Sequence, residues 1–218
     1  MTQGFDKDYW ESHWQKSSGN GAGRDIAPNP YLARETSGLL PGEALDAGCG
    51  EGAEAIWLAA AGWRVTAADI SAEVLARATE RAARIGAAAG SVQWVEADLS
   101  SWEPGRQFDL VTTHYAHPAM PQLVFYQRIS GWVAPGGILL LVGHLHTPDA
   151  NEHGHNHGRQ DHRDPPEEAS TTTASITAGL DDTQWDVVTA AQHTRTLTNR
   201  ADRTAPLHDV VVRATRRP

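Results

Sequence analysis

The sequence has a single cysteine, Cys49, and no long apolar run. One cysteine cannot form an internal disulfide, and the cysteine and histidine spacing of a zinc finger is absent. No stretch approaches the roughly 18 apolar residues that a membrane-spanning helix requires. Residues 1 to 20 also lack the apolar core of a secretory signal. We therefore expect a protein that stays in the cytoplasm and does not cross a membrane.

Basic residues are scarce as well, with 18 lysines and arginines against 27 acids, so the formal net charge is −9 with neutral histidines. Such a surface repels a polyanion, and nucleic acid is not expected as a partner. The length of 218 residues suits one ordinary domain with short additions, because domains usually contain about 100 to 200 residues. Histidine is the residue in excess, with 11 in the chain, most of them between 114 and 162.

Short apolar runs alternate with stretches of helical periodicity from residue 44 onward, which predicts an α/β fold with a parallel sheet between helices. The predicted strands are 44–48, 64–69, 92–95, 108–113 and 138–143. The predicted helices are 51–61, a segment between the N-cap Ser71 and Gly86, and about 120–133. A turn at Pro135-Gly136-Gly137 is expected to lead into the fifth strand.

The last part of the chain has a different pattern. Residues 185–196 and 207–214 both alternate with period two around a polar turn at about 199–204, which predicts an antiparallel hairpin that closes the sheet. A helix is expected before it, from Pro165-Pro166-Glu167-Glu168 to about Gly179. Residues 146–164 contain no large aliphatic or aromatic residue and are predicted to form a histidine-rich surface loop.

A glycine-rich segment, Asp46 to Gly52, follows the first strand and opens the first helix, where bare backbone can approach a nucleotide-type ligand. The segment alone leaves two cofactors open. Gly48, Gly50 and Ala53 also satisfy the dinucleotide pattern of NAD enzymes, and Asp69 stands where those enzymes place a ribose-binding acid. Three features favour S-adenosylmethionine: Asp46 before the first glycine, Asp98 after the third strand, and the closing hairpin.

From about residue 41 to 213 the sequence resembles the class I S-adenosylmethionine-dependent methyltransferases, most strongly over 44–70. The resemblance implies a Rossmann-like, doubly wound sheet of seven strands with a C-terminal antiparallel hairpin. It also implies that the glycine loop wraps the methionine part of the cofactor, that an acid after strand two binds the ribose, and that an acid after strand three lies near the adenine. The implied cofactor residues of the loop are Asp46, Gly48, Cys49, Gly50 and Gly52, followed by Asp69 with Ile70 and by Asp98 with Leu99. Two of these have alternatives: Asp69 and Asp98 could serve only as a helix cap and a turn residue. Cys49 is interpreted as a small buried residue and not as a nucleophile.

The first 40 residues are predicted to be a cover segment for the domain at 41–218. Phe5, Tyr9, Trp10, His13 and Trp14 recur at about helical spacing and form one aromatic face. The segment resembles the openings of thiopurine-methyltransferase-like and tellurite-resistance-type methyltransferases, which implies that Trp14 contacts the cofactor. The alternative is that these rings simply pack on the outside of the domain.

Histidines follow two predicted strands at the edge where an open α/β sheet binds ligands. His114 is the first candidate for a general base, Tyr115 the second candidate for orienting the acceptor, and His117 and His144 are further candidates. Each could instead only hydrogen-bond loop backbone.

The sequence thus predicts methyl transfer to a small-molecule acceptor, with the acceptor atom, oxygen, sulfur or nitrogen, left open. The alternatives are an NAD-dependent oxidoreductase and a histidine-rich metal-binding or metal-sensing protein on the same scaffold. No catalytic metal is expected. His153, His155 and His157 recur with period two, which predicts weak divalent-metal binding and does not match a tetrahedral zinc site.

Overall fold

Seven strands form one sheet in the computed structural model, in which residues 5–17, 27–86, 91–145, 171–198 and 204–218 are described. The helices are α1 (Lys7–Ser17), α2 (Pro30–Thr36), α3 (Ala53–Ala60), α4 (Ala72–Ile85), α5 (Gln122–Ser130) and α6 (Thr173–Thr177). The strands are β1 (Glu43–Ala47), β2 (Arg64–Asp69), β3 (Val92–Glu96), β4 (Phe108–His114), β5 (Val133–His144), β6 (Trp185–Thr198) and β7 (Thr204–Arg216). None of the helices in these ranges has the length and apolar content that a membrane crossing demands.

The strand order is β3-β2-β1-β4-β5-β7-β6. Strand β7 pairs antiparallel with both β5 and β6, and all the other pairs are parallel. From β1 the chain builds outward through β2 to β3 and then returns to place β4 on the other side of β1. The order therefore reverses between β1 and β4. In open α/β sheets, ligands bind at the carboxyl ends of the strands at this point.

Helices cover both faces of the sheet, because alternate residues of the central strands point to opposite sides. On β5, Leu139 and Leu141 join the core under α5 and α6, whereas Leu140 and Val142 join the core under α2, α3 and α4. All four side chains are buried. The two cores hold the strand ends that form the site in a fixed arrangement.

The five predicted parallel strands and the hairpin are all present, but the start of β5 differs from the prediction. Pro135-Gly136-Gly137 lies inside the strand and does not form a turn before it. Phe108 pairs with Val133 and Leu110 with Ile138, so β5 carries extra residues in a bulge. Gly136, with φ 77°, supplies the backbone conformation that the bulge needs. The helix predicted at about 120–133 accordingly ends at Ser130.

The helix before the hairpin also differs from the prediction. Thr171 forms a β-bridge with Leu145, so a continuous helix from Pro165 to Gly179 is wrong. The helix begins after Thr172, whose side chain accepts a hydrogen bond from the Ser175 backbone in a capping box. Pro165 to Glu168 and the whole of the predicted loop at 146–164 lie outside the described residues.

Gly52 is predicted to tolerate no side chain. Its φ is 75°, and a Cβ atom there would lie 2.5 Å from the ring of Trp94. We expect Gly52→Ala to lower the free energy of unfolding by about 2 to 4 kcal/mol, combining the left-handed backbone with overpacking. Urea denaturation measures this loss. Gly86→Ala is the matched control, because Gly86 has φ 68° and no neighbour within 4 Å; an equal loss in both variants would contradict the role of Trp94.

Candidate functional site

A cavity of about 700 Å³ lies at the carboxyl ends of the strands, between the segments that follow β1 and β4. Its lining comes from the N-terminal segment, the glycine loop, the ends of β2 and β3, the end of β4, and β6. The lining residues are Phe5, Trp10, Trp14, Ala27, Pro28, Asn29, Pro30, Gly48, Cys49, Gly50, Glu51, Ala53, Glu54, Asp69, Ile70, Asp98, Leu99, His114, Tyr115, Ala116, His117, Pro118 and Arg195.

The glycine loop brings bare backbone to this cavity. A Cβ atom on Gly48 would lie 2.3 Å from the Cβ of Ala116, so the segments after β1 and β4 touch at this residue. Gly48 has φ 79°, and its N–H donates to the Ala68 carbonyl at 2.8 Å. Only glycine combines this conformation with so close an approach.

Asp69, at the end of β2, is held at the cavity by backbone donors. The Gly50 N–H donates to Oδ2 at 2.9 Å, and the Ser71 N–H donates to Oδ1 at 3.0 Å. Each carboxylate oxygen keeps a further lone pair for a ligand. Burial raises the pKa of Asp69, and the backbone hydrogen bonds oppose that shift. Asp69 therefore fixes the glycine loop and also presents acceptor atoms to the cavity.

Asp98 lines the cavity and also stabilises a turn of the backbone after β3. Its Oδ1 accepts hydrogen bonds from the Ser100 N–H at 2.8 Å and the Ser100 hydroxyl at 2.6 Å, which is the turn geometry that the sequence left open as an alternative. Leu99 beside it is held through its carbonyl, which accepts from the Arg128 guanidinium at 3.0 Å. The loop after β3 is thus fixed by its own turn and by α5.

Two of the predicted cofactor residues, Asp46 and Gly52, lie outside the cavity surface. Asp46 is 1% exposed, and its Oδ2 atom has no hydrogen-bond partner in the described part of the chain. Burial, together with the nearby Glu54 and Asp69, raises its pKa well above the ordinary value. Gly52 faces Trp94 instead of the cavity.

Cys49 lines the cavity but is 4% exposed. Burial raises the pKa of its thiol well above the ordinary value, and the acids Asp46 and Asp69 act in the same direction. A thiol in such surroundings stays protonated and is a poor nucleophile. This favours the interpretation of Cys49 as a small buried residue.

His114 ends β4 and reaches the cavity with both ring nitrogens shielded from solvent. Neither nitrogen has a hydrogen-bond partner among the described residues. Burial lowers the pKa of the imidazole below its ordinary value of 6.5, and only Glu54 opposes this. The ring is therefore neutral at neutral pH, and its nitrogens, one a donor and one an acceptor, are buried beside the cavity without a partner among the described residues.

The three other candidates near His114 differ in whether they line the cavity. Tyr115 and His117 line it, whereas His144 does not and packs against both of them. The His144 ring is 4.7 Å from that of Tyr115 and 5.5 Å from that of His117, measured between centroids. Burial lowers the pKa of His144 to about 4, and His117 beside it contributes. His144 thus supports the two cavity residues and does not itself reach the cavity surface.

Helix α1 covers the cavity with its aromatic face. Phe5, Trp10 and Trp14 all line the cavity. The Trp10 Nε1 donates to the His117 carbonyl at 3.2 Å. The opposite side of the helix is held by α4, where the Arg77 guanidinium donates to the Trp14 carbonyl at 2.9 Å.

The sequence analysis missed three residues near this site: Tyr31, Arg195 and Asp209. Arg195, on β6, lines the cavity. Asp209, on β7, is 0% exposed. The sequence signal that could have identified Asp209 is its position directly before the apolar run Val210-Val211-Val212, in a strand whose other residues have the pattern of a buried strand.

No group of three or more His, Cys, Asp or Glu side chains able to hold a metal ion occurs in the ranges that the structure describes. The predicted metal-binding residues His153, His155 and His157 lie outside those ranges. Weak metal binding by these histidines stays a prediction.

Residues 44–137 match the family model described as a methyltransferase domain. The ribosomal RNA small subunit methyltransferase C of Alcanivorax borkumensis is 34% identical over 113 residues, which cover 50% of this chain and 34% of that protein. A protein of Arabidopsis thaliana named "Probable thiol methyltransferase 2" is 31% identical over 139 residues, 61% of this chain and 60% of that protein. The chain thus spans less than two thirds of either relative. The magnesium protoporphyrin IX methyltransferase of Synechocystis, solved with bound SAH, is 19% identical with a TM-score of 0.64, covering 96% of this chain and 97% of that chain.

Proposed function

We propose that the protein transfers a methyl group from S-adenosylmethionine to a small-molecule acceptor, because residues 44–137 match a methyltransferase-domain model and the chain has the fold of a methyltransferase solved with bound SAH. One observation carries the proposal. One cavity is lined both by the glycine loop with Asp69 and by His114, whose imidazole has no partner among the described residues. This lining suits a cofactor and an acceptor that must meet.

The residues present fit the cofactor. S-adenosylmethionine carries positive charge on its sulfonium and amino groups, and four acids line the cavity: Glu51, Glu54, Asp69 and Asp98. The Oδ2 atom of Asp46, behind the loop, has no partner among the described residues, and a cationic cofactor bound nearby would favour the ionised form of that carboxyl. The close approach at Gly48 leaves backbone, without side chains, facing the ligand.

Each part of the cofactor has candidate contacts among these residues. In our proposal Asp69 accepts the ribose hydroxyls beside Ile70, and Asp98 and Leu99 lie along the adenine. The methionine part lies along Gly48 to Gly50, under the Trp14 ring of α1. This assignment uses the acceptor atoms of Asp69 that the backbone leaves free.

His114 is the residue that we assign to the acceptor. When bound, S-adenosylmethionine would supply an electrophilic methyl group and leave as S-adenosylhomocysteine. In our proposal the neutral His114 imidazole takes the proton that the acceptor loses, and it holds the acceptor in line with the methyl group. Tyr115 and His117 form the adjoining wall and orient the acceptor, and His144 supports them from behind. Helix α1 excludes water from the reacting atoms.

A small molecule is the acceptor class that the cavity supports best. Aromatic rings of the N-terminal segment line the cavity, and the formal net charge of −9 disfavours an RNA acceptor. The thiol methyltransferase relative makes thiols the first acceptors to test. The two alternative functions, NAD-dependent oxidation and metal sensing, are not favoured, because the family match and the relatives are all methyltransferases.

The proposal is tested by calorimetric titration of the protein with S-adenosylhomocysteine, NADH and zinc in parallel. We expect binding of S-adenosylhomocysteine and no binding of NADH. Incubation with S-adenosylmethionine and thiophenol, phenol or aniline then reports which acceptor releases S-adenosylhomocysteine. Binding of NADH alone, or no turnover with any acceptor class, would contradict the proposal.

Trp14 is predicted to contribute to cofactor binding. Its ring lies 3.7 Å from the position that a Cβ atom on Gly50 would occupy. We expect Trp14→Leu to weaken S-adenosylhomocysteine binding by about 0.5 to 1.5 kcal/mol, the range for an aromatic contact. Calorimetry measures the change. Tyr9→Leu is the matched control on the same helix, because Tyr9 does not line the cavity, and equal weakening in both variants would argue against a direct contact of Trp14.

A further inference from the structure

Asp209 is a buried carboxylate that joins three separate elements. Its Oδ1 accepts the Tyr115 hydroxyl at 2.6 Å, and its Oδ2 accepts the Tyr31 hydroxyl at 2.9 Å and the Arg195 Nε at 2.7 Å. Tyr31 belongs to α2, Tyr115 follows β4 and Arg195 lies on β6. A further hydrogen bond from an Arg195 Nη to the Tyr115 hydroxyl, at 3.0 Å, closes the group.

The backbone of Tyr115 is held in an unusual conformation beside this carboxylate. Tyr115 has φ 56° and is the one non-glycine residue with positive φ in the described part of the chain. Bulky residues rarely keep this conformation unless their surroundings fix it, and such strain clusters at functional sites. The Tyr115 phenol donates a hydrogen bond to Asp209 and accepts one from Arg195. These two bonds, together with the His144 ring at 4.7 Å, hold the residue in this conformation.

Asp209 does not reach the cavity, but two of its partners do. Tyr115 and Arg195 both line the cavity, whereas Asp209 is 0% exposed. Any effect of Asp209 on an acceptor therefore passes through these two side chains.

The wall formed by Tyr115, His117 and Arg195 carries little net charge. The guanidinium of Arg195 is balanced by the carboxylate at 2.7 Å. Burial lowers the pKa of His117 below 6.5 and that of His144 to about 4, so both imidazoles are neutral at neutral pH. Three of the four acids that line the cavity, Glu51, Asp69 and Asp98, lie in the segments assigned above to the cofactor, and the fourth, Glu54, is close enough to act on the pKa of His114.

We propose that Asp209 is a positioning residue that fixes the Tyr115 phenol and the Arg195 guanidinium in the acceptor-facing wall and balances the guanidinium charge, so that the wall favours uncharged acceptors. This inference rests on the proposed function and deepens it. Specificity arises because an anionic acceptor gains little from a guanidinium that is already paired. Removal of the carboxylate leaves a cation beside the acceptor.

The first test needs no acceptor. The chain has four tyrosines, so fluorine NMR of protein labelled with 3-fluorotyrosine resolves few signals, and Tyr115→Phe assigns the one of interest. Burial and Asp209 raise the pKa of the Tyr115 phenol, whereas Arg195 lowers it. In Asp209→Asn we expect the Tyr115 signal to titrate at clearly lower pH than in the wild type. An unchanged titration would overturn the proposal.

The second test measures acceptor preference with a matched pair of probes, benzyl mercaptan and 4-(mercaptomethyl)benzoate, whose thiols stay largely protonated at neutral pH and which differ by one carboxylate. We expect Asp209→Asn to raise the ratio of kcat/KM for 4-(mercaptomethyl)benzoate over benzyl mercaptan at least fivefold, with S-adenosylhomocysteine affinity within about threefold. A merely structural role would lower both rates and leave the ratio unchanged, which would overturn the proposal. If the wild type methylates no acceptor, the proposed function fails, and the NMR titration still decides whether Asp209 fixes Tyr115.

Two further variants complete the design. Asp186→Asn removes an exposed ion pair with Arg217 at the other end of the same hairpin, and it is expected to change neither the titration nor the ratio. If Asp209→Asn does not fold, Asp209→Asn/Arg195→Gln removes both charges together. That double variant is expected to keep the wild-type ratio while its kcat/KM for benzyl mercaptan falls at least tenfold, and an undiminished kcat/KM would overturn the proposal.

Discussion

Asp69→Ala is expected to weaken S-adenosylhomocysteine binding by about 1.5 to 3 kcal/mol, the range for hydrogen bonds to a charged group. The variant loses the acceptor atoms that we assign to the ribose. It also releases the Gly50 N–H, which donates to the carboxylate at 2.9 Å, so the glycine loop loses its attachment to β2. Calorimetric titration measures the affinity, and an unchanged value would remove Asp69 from the cofactor site.

A control separates binding from helix capping in this prediction. Ser71 caps α4 through its hydroxyl, which accepts from the Val74 N–H at 3.3 Å, and it does not line the cavity. We expect Ser71→Ala to lower the free energy of unfolding by about 0.5 to 2 kcal/mol while leaving S-adenosylhomocysteine affinity unchanged. If Ser71→Ala weakened binding as much as Asp69→Ala, the effect would belong to the start of α4.

His114→Ala is expected to reduce kcat/KM for the methyl acceptor about 100-fold or more, the usual contribution of a positioned proton acceptor. S-adenosylhomocysteine affinity should stay within a few-fold, because our proposal assigns His114 to the acceptor and not to the cofactor. His114→Gln distinguishes two roles. A glutamine that restores most of the rate indicates that His114 acts by hydrogen bonding, whereas a rate as low as that of alanine indicates proton transfer.

The pH dependence provides an independent check on His114. Burial lowers its pKa below 6.5, so the neutral imidazole persists to lower pH than in a free histidine. If the neutral form is required, the rate with an acceptor that does not titrate in this range should fall only below pH 6.5. His208→Ala, in a residue outside the cavity, should retain the wild-type profile. A normal rate in His114→Ala would make His114 structural and would move the search for a base to His117, with His144 behind it.

Much of the fold was predictable because its signals are local. The α/β class and the seven-stranded sheet with its closing hairpin are confirmed, and residues 44–137 match a methyltransferase-domain model, in agreement with the resemblance. Ser71 and Gly86 cap α4 as the sequence indicates. The errors at β5 and α6 arose where a local signal competes with a long-range one. The Pro-Gly-Gly segment is typical of a turn, yet pairing with β4 draws it into a bulged strand.

The candidate site was predictable to the extent that its residues follow strands in order. Gly48, Gly50, Asp69, Asp98 and His114 all line the cavity, because parallel strands carry their carboxyl ends to one edge. The sequence contains no local signal that tells which of the side chains after a strand lines the cavity. His144 follows a strand just as His114 does, but it lies behind Tyr115 and His117.

By itself the sequence determined the glycine loop, the acids that follow it and the alternation that produces a parallel sheet, since each depends on residues close together in the chain. The tertiary structure alone decided that Gly52 faces Trp94 and that Asp209 meets Tyr115. The latter pair is 94 residues apart, and its contact depends on the register of β7 against β5 and on the positive φ of Tyr115. A register shift of one residue would turn Asp209 to the other face of the sheet. Only the packed sheet fixes that choice.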